Sequence, residues 1–106
     1  MHQEPTRDEI DAMPGPVVLE FGATWCGHCI ALRPHIDAHL ARFANFKHIA
    51  VEDGKGRPLG RSFRVKLWPT LVLLHNGQVV NRLVRPHPDE LQQAFDSLAA
   101  AANTTP

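Results

Sequence analysis

The chain has only two cysteines, no apolar run approaching the length of a membrane span, and no acidic residue between Asp53 and Asp89. Each shortage excludes something. Cys26 and Cys29 stand too close together to cross-link distant parts of a fold, so the pair is chemical rather than scaffolding. Without roughly 18 consecutive apolar residues there is no transmembrane helix, and no membrane partner is expected. Met1-His2-Gln3-Glu4-Pro5 lacks the basic start and apolar stretch of a signal peptide. A lone CxxC in such a chain fits a reducing compartment, so a cytoplasmic location is expected. The acid-free stretch holds Lys55, Arg57, Arg61, Arg64, Lys66, Arg82 and Arg85, balanced to zero net charge by acids elsewhere. These cations read either as a solvated face or as a positive surface favouring thiolate or acidic partners. They are spread along the chain, and nucleic-acid binding is not expected.

A length of 106 residues allows one domain, 1–106, with a single core that needs no metal or extra disulfide. Thr6 or Asp8 can cap a first helix running to about Ala12, ended by Pro14-Gly15-Pro16. Val17-Val18-Leu19-Glu20-Phe21 reads as a strand apolar on both faces, as in a parallel, helix-covered sheet. Ile36, Leu40 and Phe43 then recur at helical spacing to about Ala44, with Pro34 inside the helix. A strand over Phe46–Val51 and a short helix around Leu59–Phe63 follow. Strands 70–74 and 79–84 flank Asn76-Gly77, a hairpin signal because both turn positions need positive φ. Pro88 suits the first position of a last helix, with Asp89 and Glu90 in its first turn and Leu91, Phe95 and Leu98 as its buried stripe. Residues 103–106 are expected to fray. A strand–helix–strand unit followed by an antiparallel hairpin predicts a mixed central sheet with helices on both faces.

The chemistry centres on Trp25-Cys26-Gly27-His28-Cys29, placed directly after the apolar strand. Around it stand Glu20-Phe21, Ala23, Pro34 five residues beyond Cys29, Asp53, Trp68-Pro69-Thr70 and Asn76-Gly77. Together these residues resemble the thioredoxin family from about Val17 to the end of the last helix. CxxC alone is weak evidence; CxxC followed at a distance by Pro-Thr opening a hairpin strand is specific. The Gly27-His28 dipeptide resembles the active site of protein disulfide isomerases, whereas thioredoxins usually carry Gly-Pro there.

The resemblance implies an α/β thioredoxin fold and a thiol–disulfide oxidoreductase that reduces or exchanges protein disulfides through a mixed-disulfide intermediate. It implies no cofactor beyond the redox-active Cys26–Cys29 pair, disulfide-bearing protein substrates, a thioredoxin reductase as a partner, and a monomer. Cys26, at a helix N-terminus, is expected to have a lowered pKa and to be the nucleophile, with Cys29 resolving. His28 is expected to favour the thiolate and make the site more oxidising, between about −270 mV for thioredoxin and about −180 mV for protein disulfide isomerase. Glu20 is expected to lie buried beneath the cysteines and accept the proton of Cys29. The family's accompanying lysine is absent: its position aligns with Ile49, with Lys47 two residues earlier. Desolvation is therefore expected to raise the Glu20 pKa. Pro69 is the expected cis-proline, leaving the backbone of Trp68 free to pair with a substrate chain, and Trp68 and Trp25 form an aromatic rim.

Two departures from the family modify that picture. Few residues precede Val17, so the family's first strand is expected to be short or missing, giving a sheet of four strands, or five if that strand is kept, with Phe46–Val51 at an edge in the four-stranded case. Arg85 stands where thioredoxins usually have a groove-lining glycine, predicting a narrower groove for acidic or small substrates. Among rivals, seven histidines raise metal binding, with His35 and His39 on one helix face. Structural zinc needs four converging ligands and no second CxxC exists, while a haem attachment site would need His where Ile30 stands. The other rival is a thioredoxin-fold interaction or holdase module with incidental redox activity; the intact CxxC and Glu20 argue against it.

Overall fold

The protein was analysed as a computed structural model, which describes residues 4–103. Eight elements follow in order: α1 (Arg7–Asp11), β1 (Pro16–Gly22), α2 (Gly27–Leu40), β2 (Lys47–Glu52), α3 (Pro58–Ser62), β3 (Thr70–His75), β4 (Gln78–Val84) and α4 (Pro88–Asn103). The strands form one sheet in the order β2-β1-β3-β4, with β1 parallel to β2 and antiparallel to β3, and β3 antiparallel to β4. Among the described residues β2 is an edge, as the sequence predicts.

Period-two alternation in β1 divides the core between the two faces. Val17, Leu19 and Phe21 pack with Ile10 of α1, Leu59 of α3 and Phe63 beyond it. Val18 faces the other way, joining Leu32 and Ile36 of α2 and Leu91, Phe95 and Leu98 of α4. Each such fully buried side chain contributes about 1.5–3 kcal/mol. Both faces of the sheet are therefore covered, which is why β1 reads as a continuous apolar run.

Local chemistry sets the ends of the elements. Thr6 and Glu9 form a reciprocal capping box on α1. At the hairpin, Asn76 (φ 52°) and Gly77 (φ 80°) both take the left-handed conformation that the dipeptide announces. Gly77 is required twice over, because a Cβ there would lie 2.0 Å from the Asp11 carbonyl. Helix α2 stops at Leu40, short of the expected Ala44. The chain tightens through Arg42 N–H to His39 O and Phe43 N–H to Leu40 O bonds, and Phe43 turns back to stack on Phe46 at 4.6 Å. Helix α4 runs through Asn103; the rest of the expected fraying lies outside the described residues. No helix among the described residues is long and apolar enough to cross a membrane.

Candidate active site

Strand β1 delivers the chain to a four-residue turn, and Cys26 is the N-cap of α2, with extended backbone at φ −80° and ψ 119°. Its sulfur accepts the Cys29 backbone N–H at 3.3 Å, so the first cysteine occupies the anion-favouring position of the helix. Cys29, one turn in, packs against the end of β1. Gly22 makes that approach possible, since a Cβ there would lie 2.7 Å from the Cys29 sulfur. Both thiols are free and mostly covered, at 7% and 5% exposure for Cys26 and Cys29.

The two thiols are driven apart in acidity. Burial of Cys26 opposes ionisation, but hydrogen bonds from the Cys29 thiol and from the backbone amides of Cys29 and His28, with the charge of Arg85, hold its pKa below the ordinary thiol value. For Cys29 burial is the largest influence, reinforced by its bond to Cys26 and by the negative charges of Cys26 and Glu20. A backbone bond to Ala23 opposes them, and the Cys29 thiol is pushed up to about 11. Low and high pKa values three residues apart on one helix start suit a nucleophile and a reserve thiol.

Glu20 is buried at 2% exposure on the α2 face of β1. It is not alone there. Arg33 Nη2 lies 3.1 Å from one carboxylate oxygen and His48 Nε2 2.8 Å from the other. Burial pushes the Glu20 pKa up, but the His48 hydrogen bond, the Arg33 charge and their lesser companions outweigh it, and the net shift is downward. The expected elevation is thereby overturned. The physical reason is the β1–β2 register: Glu20 pairs with Ala50 and Val18 with His48, so His48 shares the face of Glu20. Ile49 pairs with Leu19 and belongs to the opposite face, with Lys47 two residues away on that same side. Sequence reasoning missed both partners. Arg33 had a signal, because it lies four residues beyond Cys29 on one face of α2. A cavity of about 470 Å³ opens onto Glu20, Cys29, Arg33 and His48.

The opposing wall is the turn before β3. Trp68-Pro69 is a cis peptide, and Thr70, fully buried, donates its hydroxyl to the Leu67 carbonyl at 2.6 Å. Trp25 is 72% exposed and meets Trp68 edge-on at 5.4 Å, forming the expected rim. The Trp68 indole N–H donates to Asp53 at 2.8 Å. Gly27, the first residue of α2, and His28 after it are exposed. His28 faces a second cleft of about 260 Å³ shared with His35, Pro69 and Arg85.

Arg85 alters the picture drawn from sequence. It holds a left-handed backbone at φ 46°, its N–H bonded to the Pro69 carbonyl at 2.9 Å. Its Nε donates to the Trp68 carbonyl at 2.8 Å. The Trp68 backbone is therefore not wholly free for a substrate chain: a guanidinium already occupies its acceptor. His39, one of the histidines weighed as a ligand, packs its ring near Phe95 at 5.7 Å. Among the described residues no group of three or more potential ligands converges.

A dithiol of split acidity at a helix start, packed against the Trp68 that precedes a cis-proline, on a helix-covered mixed sheet, defines the thiol–disulfide oxidoreductase class. The thioredoxin family model matches residues 2–97. The chain is 34% identical over 87 residues to thioredoxin Asp f 28 of Aspergillus fumigatus, covering 81% of each chain. It is 32% identical over 89 residues to thioredoxin H2-1 of Oryza sativa subsp. japonica, covering 84% of this chain but 64%, under two thirds, of that protein. Among solved structures, thioredoxin 2 from Pseudomonas aeruginosa PAO1 in its reduced form aligns with a TM-score of 0.83 and 48% identity over 93% of both chains. The chain belongs to the thioredoxin family.

Proposed function

We propose that the protein, acting as one domain, reduces or exchanges disulfides of protein substrates through Cys26 and Cys29. The observation that carries this reading is the placement of the two thiols at the start of α2: Cys26 is its N-cap, its sulfur accepting the Cys29 backbone N–H at 3.3 Å, and Cys29 lies one turn further in. The Cys26 thiolate attacks one sulfur of the substrate disulfide. That S–S bond breaks, the distal sulfur leaves as a thiolate and takes a proton, and Cys26 is held in a mixed disulfide. Cys29 then passes its proton to Glu20 and attacks the Cys26 sulfur, releasing the second substrate thiolate. Two electrons have moved to the substrate, and Cys26–Cys29 is now a disulfide for a dithiol donor such as a thioredoxin reductase to reduce. Arg33 and His48 keep Glu20 ionised and able to accept, and the cavity at Glu20 is the exit for the proton.

Trp25, Trp68, Pro69 and Thr70 shape the surface on which the substrate chain lies. Gly27-His28, of the protein-disulfide-isomerase type, and Arg85 favour the reduced, thiolate form. We place the reduction potential between about −270 and −180 mV. Insulin-disulfide reduction, with and without a thioredoxin reductase, tests the activity; Cys26→Ser must abolish it, and a wild-type rate in that variant refutes the reading. Equilibration against glutathione tests the potential, and a value at or below about −270 mV removes the tuning role.

A further inference from the structure

The acid-free segment folds into a feature that the dithiol chemistry does not use. Lys55, Arg57, Arg61, Arg64 and Lys66 line one cleft of about 330 Å³. Four of them are exposed and Arg57 is half-buried. Among the described residues the ion pairs involve other side chains, and none of these five has a carboxylate partner. The one acidic residue in the wall, Asp53, is turned inward: one oxygen accepts the Trp68 indole N–H at 2.8 Å. The other packs so closely on Gly60 that a Cβ there would meet it at 2.0 Å. It is therefore committed to holding the loop.

The backbone beneath these cations is tied down. Arg57 N–H bonds to Gly54 O at 3.2 Å and Val65 N–H to Gly60 O at 2.9 Å. The Arg82 guanidinium holds the Phe63 and Arg64 carbonyls from β4. Arg82 thus has a structural use, whereas among the described residues the five lining side chains make no side-chain hydrogen bond that would explain them. Gathering like charges in a concave surface works against stability through their mutual repulsion. In a chain of zero net charge, composition does not require it. The cleft also adjoins the redox site: Asp53 is bonded to Trp68, Trp68 contacts Trp25, and Lys66 lies two positions before Trp68.

We propose that this cleft docks an acidic segment of the disulfide-bearing protein partner, a proposal that rests on the exchange reading above. A cleft lined by one sign of charge focuses its field. It raises encounter rates by about 10–10³-fold, an effect that falls steeply with ionic strength. Specificity toward acidic partners follows without any change at the sulfurs.

Two peptides of equal length with the same disulfide test it, one flanked by glutamates and the other by glutamines. In the wild-type protein at low ionic strength, kcat/KM for the acidic peptide should exceed that for the neutral one roughly 10-fold or more. High salt should erase the difference. So should the combined variant Lys55→Glu, Arg61→Glu, Lys66→Glu, whose three side chains are exposed and unpaired, while the neutral peptide keeps its wild-type rate. Equal kcat/KM for the two peptides, or a preference that survives the charge reversal, overturns the proposal. A second measurement does not depend on turnover. The acidic peptide with serines for its cysteines is titrated while tryptophan fluorescence is followed. Tighter binding to wild type than to the variant supports docking, and equal binding overturns it. If neither peptide is reduced, the exchange reading fails and the titration alone decides the docking.

Discussion

Replacing Arg85 by glutamine separates two consequences of a single side chain. The guanidinium favours the Cys26 thiolate by its charge and occupies the Trp68 carbonyl by its Nε at 2.8 Å. Because Arg85 is exposed, solvent and salt screen the charge, and its influence is of the surface-pair order, about 0.2–1 kcal/mol. Its removal raises the Cys26 pKa, by the smallest of the influences that lower it. Losing a cation destabilises the reduced, thiolate form, so above the Cys26 pKa the potential becomes more negative by roughly 4–20 mV.

The stability change has a different origin and separates the variants further. Arg85→Gln keeps the left-handed backbone at φ 46° and loses a hydrogen bond worth about 0.5–1.5 kcal/mol. Arg85→Gly loses the same bond but is relieved of about 1 kcal/mol of left-handed strain, so the two effects nearly cancel. Both variants should show the same rise in Cys26 pKa by ultraviolet thiolate absorbance against pH, while only the glutamine variant melts earlier. Arg85→Lys keeps the charge and should leave the Cys26 pKa near wild type. A Cys26 pKa that is unchanged or lower in Arg85→Gln would refute the electrostatic reasoning.

Glu20 has its pKa lowered from the ordinary 4.5 in the folded state, so its contribution to stability is present above that value and is lost as pH falls through the folded pKa. Glu20→Gln should flatten the acid limb of the stability curve, read by denaturant unfolding at stepped pH. His48→Ala leaves the buried carboxylate with Arg33 alone; the Glu20 pKa should rise in carboxylate NMR, with about 1–3 kcal/mol of stability lost. Gly22→Ala places a methyl 2.7 Å from the Cys29 sulfur, and overpacking should cost about 1–3 kcal/mol in denaturant unfolding and slow release of the mixed disulfide. In Cys26→Ala the Cys29 pKa should fall below about 11, because the Cys26 hydrogen bond and charge that raise it are gone; thiolate absorbance reads this directly.

What was legible in the sequence was local. The β1 run, the Asn76-Gly77 turn and a cap at Thr6 or Asp8 each signal through neighbouring residues; the first two form where the pattern places them, and of the two caps Thr6 is the one used. Among the described residues β2 is an edge of the sheet, the place expected of it. The partners of Glu20 did not follow, because they depend on a β1–β2 offset that no turn fixes. A slip of one residue exchanges His48 for Ile49 and inverts the electrostatic conclusion. Arg85 was visible as an anomaly, but its contact with the Trp68 carbonyl requires a side-chain direction that sequence does not carry.

The raised pKa of Cys29 stands against its proposed role as the resolving thiol, since a proton held at about 11 is hard to remove near neutral pH. The contradiction lasts only while Cys26 is free. Two of the influences holding that proton are the Cys26 hydrogen bond and the Cys26 charge, and both end when Cys26 enters a mixed disulfide. Burial and the Glu20 charge remain, but in the proposed exchange the Glu20 carboxylate that disfavours a second anion is also the proton acceptor. Arg33 and His48, by keeping Glu20 ionised, make it a ready but weak base. In the proposed cycle, a weak base next to a thiol that has just lost two restraints gives a resolving step that waits for the first exchange. Before that exchange, Cys29 stays protonated and supports the Cys26 thiolate, whose sulfur it attacks only once that sulfur is bonded to substrate in the proposed mixed disulfide.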